Sequence, residues 1–213
     1  MTFIVVIIGW VFSLCLHEFS HALVAYYGGD YTVKDKGYLT FNPLKYTHPV
    51  YSLLMPMIFL LMGGIGLPGG AVYIEKWRLR SREWATAVSL AGPFSNALLA
   101  LILGMILRFS PINASGIWPG LAFLAFLQIS AVVLNLIPLP PFDGFGAFEP
   151  YLPTDIRMKL AQTQGMLSWI VIILLWQVPF VGSMFWGLVG FLAQLAGIPL
   201  QLAGLGLSQF RFW

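Results

Sequence analysis

From Phe3 to Tyr27 the chain runs for 25 residues in which the only charged or imidazole side chains are His17, Glu18 and His21. As a helix this run is about 37 Å long, enough to cross a ~30 Å hydrocarbon core with some tilt. Each ionisable group inside such a span costs roughly 2.5–3.5 kcal/mol on insertion scales, so three within five residues need a compensating partner. A bound divalent cation is one such partner; a polar helix–helix contact or a proton relay is the plainer alternative.

The rest of the chain is of the same kind. Of 213 residues 59% are apolar and 9% charged, with a mean hydropathy of +0.84, where a soluble domain carries about 25% charge. That excludes an ordinary soluble domain, a disordered chain and a coiled coil. The net charge of +3 is small and dispersed, which argues against a nucleic-acid partner. The single cysteine, Cys15, sits in an apolar run and reads as a packing residue. The N-terminus has no basic region before its apolar run and does not read as a cleavable signal.

Further apolar stretches give the expected architecture. Val50–Leu67 is short and interrupted by Pro56, Gly63, Gly64 and Gly66; Trp84–Arg108 and Trp118 to about Ile137 are long enough to span; Met166 to about Gly190 spans with a bend at Pro179. Residues 191–207 are apolar and glycine-containing, suited to an interfacial, re-entrant or crossing segment. Residues 31–41 combine β-branched and aromatic residues around a Gly-containing turn, which predicts a short β-hairpin, and Phe142–Gln164 reads as a loop. The expectation is an all-α polytopic membrane protein with about four full transmembrane helices, re-entrant or interfacial segments and a small β-hairpin near the site. It forms a single domain over 1–213, with a functional core of about 1–150 and C-terminal membrane segments over 166–207.

His17-Glu18-Phe19-Ser20-His21 is an H-E-x-x-H sequence. Spacing of four places both imidazoles on one helix face, where they can bind one zinc ion, and Glu18 can serve as general base for a water there. Chance would produce the motif in roughly one chain of this composition in a thousand. Catalytic zinc takes three protein ligands. Asp143 is a candidate third, because it follows a spanning segment stopped by Pro138, Pro140 and Pro141; the other acids lie in polar loops. Glu149 would be the third ligand of a different H-E-x-x-H class. His48, beside Pro49, reads as structural or solvent-facing. Asn135 either stabilises an oxyanion, holds substrate backbone or caps the broken helix, and Asn96 reads as structural.

Together, His17-Glu18-x-x-His21, Ala91-Gly92-Pro93-Phe94-Ser95-Asn96 and Asn135-x-x-Pro138-x-x-x-Phe142-Asp143-Gly144 resemble the site-2 protease family of intramembrane zinc metalloproteases. Gly29-Asp30 and Thr40-Phe41-Asn42-Pro43-Leu44 resemble linkers of its compact prokaryotic branch, and the likeness runs from about residue 10 to 150. The resemblance implies one zinc ion per chain held by His17, His21 and Asp143, with Glu18 as catalytic base. It implies an endopeptidase of a prokaryotic cell membrane that hydrolyses peptide bonds in or near transmembrane segments of membrane-protein substrates. Phe142 stands where the family usually has Leu, the basic segment 67–82 matches the compact branch poorly, and there is no room for PDZ or CBS domains.

A shared zinc also constrains topology. His17, His21 and Asp143 meet at one depth only if the helices at 3–27 and from 118 run parallel, which makes Val50–Leu67 re-entrant or interfacial. Loops 28–49, 68–83 and 143–165 then share one side and carry nine of the 11 basic residues. Positive-inside makes that side cytoplasmic, with the metal nearer the cytoplasmic face. A second reading is a non-catalytic membrane protein that binds zinc structurally in a binding or transport role; Glu18, for which a structural site has no need, favours the enzyme. A di-iron oxidase needs more than three His, and a rhomboid-type serine protease needs a Gly-x-Ser-Gly nucleophile that is absent.

Overall fold

The computed structural model describes residues 1–46, 72–110 and 113–211, and within these it is all-helical. Eight α-helices occupy this part of the chain: α1 Thr2–Gly28, α2 Thr32–Asp35, α3 Arg82–Phe109, α4 Trp118–Asn135, α5 Asp143–Phe148, α6 Thr154–Gln177, α7 Pro179–Leu195 and α8 Leu200–Phe210. Three of them, α1, α3 and α4, are long and apolar enough to cross a membrane. The number rises to five if α6, bent by 57°, and the α7–α8 pair, bent by 119°, each count as one span. His48 and the expected re-entrant segment Val50–Leu67 lie outside the described residues.

Helix α1 stops where the sequence places a stop. Gly29 takes φ +116°, a left-handed conformation that a Cβ would strain, and its amide turns back to the Ala25 and Tyr26 carbonyls. The expected β-hairpin over 31–41 does not form: the segment makes the short helix α2 and turns. Asp30 Oδ1 accepts from the Thr32 amide at 3.1 Å and the Thr32 hydroxyl at 2.6 Å, nucleating a helical turn. Gly37 at φ +75° lets the Tyr38 amide return to the Val33 carbonyl. Local side-chain capping here overrides the β-preference of Thr32 and Val33.

Residues 142–164 are likewise not a loop. Asp143 begins α5, and after Pro153 the chain enters α6, which starts 12 residues earlier than the expected span at Met166. Pro179 does not bend one helix but begins another, since its missing N–H is harmless in a first turn.

The three long helices pack at close quarters. Val5 lies against Gly120, Gly9 against Leu124 and Ser13 against Gln128, so contacts rise together along α1 and α4 and the two run parallel. Gly28 lies against Trp84, His21 against Val88 and His17 against Asn96, so α3 is antiparallel to α1. Lipid offers no hydrophobic drive between helices, so small residues that admit close packing hold such bundles together. Between the helices lie Val6, Trp10, Leu14, Leu103, Leu107, Phe123 and Leu127, with Val189, Ala193 and Phe210 added by α7 and α8.

Candidate metal centre

The H-E-x-x-H motif sits in the second half of α1, on the face turned inward. His17, Glu18 and His21 are 6%, 4% and 6% exposed. The His17 and His21 Nε2 atoms are 3.0 Å apart. Asp143, the first residue of α5, is delivered by the proline-stopped chain after α4, and its carboxylate oxygens lie 3.2 Å from His17 Nε2 and 3.5 Å from His21 Nε2. Among the described residues these three form the one group of at least three such side chains with donor atoms all within 4.8 Å of one another.

That spacing fits a zinc ion. Bonds of about 2.0–2.2 Å in tetrahedral geometry put ligand atoms roughly 3.3–3.6 Å apart, and the separations of 3.0, 3.2 and 3.5 Å lie in or just below that range. The orientation of the rings fits too. His21 Nδ1 lies 2.6 Å from the Val88 carbonyl, which can only accept, so the hydrogen is on Nδ1 and the lone pair on Nε2. His17 Nδ1 lies 2.9 Å from Asn96 Oδ1 in the same sense. Two imidazole lone pairs and a carboxylate then face one point, an arrangement that a cation stabilises.

Helix α3 makes room at this point through Gly92. A Cβ there would stand 2.5 Å from His17 Nε2 and closer still to His21 Nε2. Behind Asp143, a Cβ on Gly144 would overlap the Leu136 carbonyl; both glycines are held by space and not by unusual φ.

Glu18 points into the same cavity of about 420 Å³, which is also lined by Asn135, Ser89 and Phe142. Its Oε2 accepts the Val72 amide at 3.1 Å. Val72 opens a strap, residues 72–81, tied down at several points. The Glu75 amide donates to Asp30 Oδ2 at 2.7 Å, Lys36 pairs with Glu75 at 2.9 Å, and Lys76 pairs with Glu149. Asn135, the last residue of α4, is 3% exposed on the cavity wall. Glu149 lines the cavity as well, yet it is engaged by Lys76 and is not among the three clustered donors. Cys15 is buried as a packing residue.

Asn96, which reads as structural in the sequence, lies against His17, while the spatial role of Gly92, the contacts of Gln128 and the strap appear only in the fold. Gln128 carried a readable signal, being an amide inside an apolar span; the strap carried none, because its bonds to Glu18 come from the main chain.

No family profile matches the chain, and no solved structure matches it. Curated relatives do. The protein named "Putative zinc metalloprotease Rip2" of Mycobacterium tuberculosis is 45% identical over 213 residues, 99% of this chain and 81% of the relative. Its namesake in Mycolicibacterium smegmatis is 45% identical over 212 residues, with the same coverage. "Putative zinc metalloprotease YwhC" of Bacillus subtilis is 32% identical over 192 residues, 84% of this chain and 83% of the relative.

Proposed function

Because this chain belongs to the site-2 protease family of zinc metalloproteases, we propose that it is an intramembrane endopeptidase that cuts membrane-protein substrates in or near a transmembrane segment. The observation that carries the proposal is the meeting of His17, His21 and Asp143 within 4.8 Å, with Glu18 on the wall of the same cavity.

In this reading His17 and His21 Nε2 and the Asp143 carboxylate hold the ion. A bound zinc would supply Lewis acidity, lowering the pKa of a water toward neutrality and polarising a carbonyl. Glu18 would take the proton of the attacking water on its carboxylate as the new C–O bond forms, and deliver it to the departing amine nitrogen when the C–N bond then breaks. The Val72 amide holds Glu18 Oε2 and so directs the carboxylate. Asn135 lines the same cavity, and in this reading its side-chain amide donates to a developing oxyanion or holds substrate backbone. A substrate helix hides its carbonyls in its own hydrogen bonds and must unwind to enter.

The lipid bilayer is the setting of the three long apolar helices. The ends of α1 and α3 near Gly28, the strap and Glu149 lie together through the Gly28–Arg80 main-chain bond and the Lys76–Glu149 pair. This is the basic side of the chain, which the positive-inside rule assigns to the cytoplasm.

The test compares wild type, Glu18→Gln and Asp143→Asn in detergent for zinc content and cleavage of a model transmembrane peptide. Glu18→Gln should keep zinc and lose cleavage; Asp143→Asn should lose both. Equal cleavage by all three would end the protease reading, and bound zinc without cleavage in wild type would favour a structural metal.

A further inference from the structure

We infer that Gln128 and Ser13 are positioning residues that act through Asn96 to fix which ring nitrogen of His17 faces the metal centre; this rests on the reading of His17 as a metal ligand.

The direction of the relay is set at its far end. The Trp10 carbonyl can only accept, and Ser13 Oγ donates to it at 2.8 Å. Ser13 Oγ therefore receives from Gln128 Nε2, at 3.1 Å. That turns Gln128 Oε1 toward Asn96, whose Nδ2 donates to it at 3.2 Å. Asn96 is thereby left with Oδ1 toward His17 Nδ1, at 2.9 Å. An acceptor at that place requires the hydrogen on Nδ1 and leaves Nε2 with its lone pair toward His21 and Asp143. Flipping either amide would set donor against donor or acceptor against acceptor.

Burial makes the chain of bonds hard to replace. Ser13, Asn96 and Gln128 are 4%, 6% and 1% exposed, and an unpaired polar group at such depth is costly. His21 needs no relay, because the Val88 main-chain carbonyl cannot flip. His17 is held by a side-chain amide that can, and Gln128 and Ser13 remove that freedom. The residues come from α1, α3 and α4, so a plain role in gluing helices is the competing account.

The experiment uses the full chain in detergent and measures zinc affinity by chelator competition, beside the unfolding midpoint of the zinc-free protein. Outer partners of ligating histidines are worth roughly 10–100-fold in metal affinity. Asn96→Leu should fall in that range, Gln128→Leu should weaken zinc about tenfold and Ser13→Ala by less. Gln128→Leu should cost nothing further in the Asn96→Leu background, because the relay works through Asn96. The relay is overturned if Gln128→Leu lowers the unfolding midpoint with zinc affinity unchanged, or if its loss adds in full to that of Asn96→Leu. Should Gln128→Leu fail to fold, Ser13→Ala and its combination with Asn96→Leu decide in the same way. A control separates the two readings: if His17→Ala itself leaves zinc affinity intact, the ligand assignment fails and not the relay alone.

Discussion

The Val72 amide lies 3.1 Å from Glu18 Oε2, joining a carboxylate in the middle of α1 to a strap 54 residues further along the chain. A hydrogen bond to a charged group is worth about 1.5–3 kcal/mol. Val72→Pro removes the donor and should lower kcat on a model transmembrane peptide by roughly 10–100-fold. Zinc content should stay at the wild-type level. Val72→Ala, which keeps the amide, should behave as wild type; equal loss in both would trace the effect to the side chain instead.

Gly92→Ala places a methyl group against both ligand nitrogens. Zinc affinity should fall at least tenfold and cleavage with it, a loss comparable with that from disturbed outer partners. The helix itself should gain, since Ala is better than Gly in a helix interior by about 1 kcal/mol. Gly187→Ala on α7, where a Cβ meets nothing within 4 Å, is the matched control and should keep full zinc affinity.

The strap should loosen in acid. Hydrogen bonds from Lys36 and Arg78 hold the Glu75 carboxyl at about 2, below its ordinary 4.5. Because the folded-state value is depressed, the contribution is complete above about 4.5 and is lost as pH falls toward 2. The protection of amides at residues 73–78, taken relative to the intrinsic exchange rate at each pH, should therefore fall between pH 5 and pH 3, and the fall should be smaller at high salt, which screens these pairs. Glu75→Gln should be less protected already at pH 5, and its protection should change less with pH. A profile that matches wild type would sever the link to Glu75.

Sidedness can be read by cysteine labelling on intact cells with an impermeant maleimide, since Cys15 is buried. Trp77→Cys in the strap should stay unlabelled until the cells are opened, and Ser115→Cys, beyond the other end of α3, should label at once. Both positions are exposed. The reverse pattern would invert the assignment.

How much of this the sequence made legible depends on the range of the forces involved. The i, i+4 histidines were readable because one helix places both, and Asp143 because prolines mark where α4 must stop. The parallel run of α1 and α4 followed from requiring those groups to meet. The hairpin was misread since pattern alone does not register that Asp30 can cap Thr32. The start of α6 was missed because its first turns, Thr154 to Gln164, are too polar to look like a span. Gln128 and Ser13 are 115 positions apart, and nothing local to either predicts the other.

Asp143 and His21 also stand more than a hundred residues apart in the chain, and an ion held by both is a cross-link as well as a reagent. It would close a long loop and fasten α1 to the segment after α4 without a covalent protein bond. When free zinc exceeds its dissociation constant a thousandfold, binding only to the folded form adds about 4 kcal/mol of stability. Chelation should thus do more than silence the chemistry: the unfolding midpoint should fall with it, and a protein starved of metal should be the more readily degraded one.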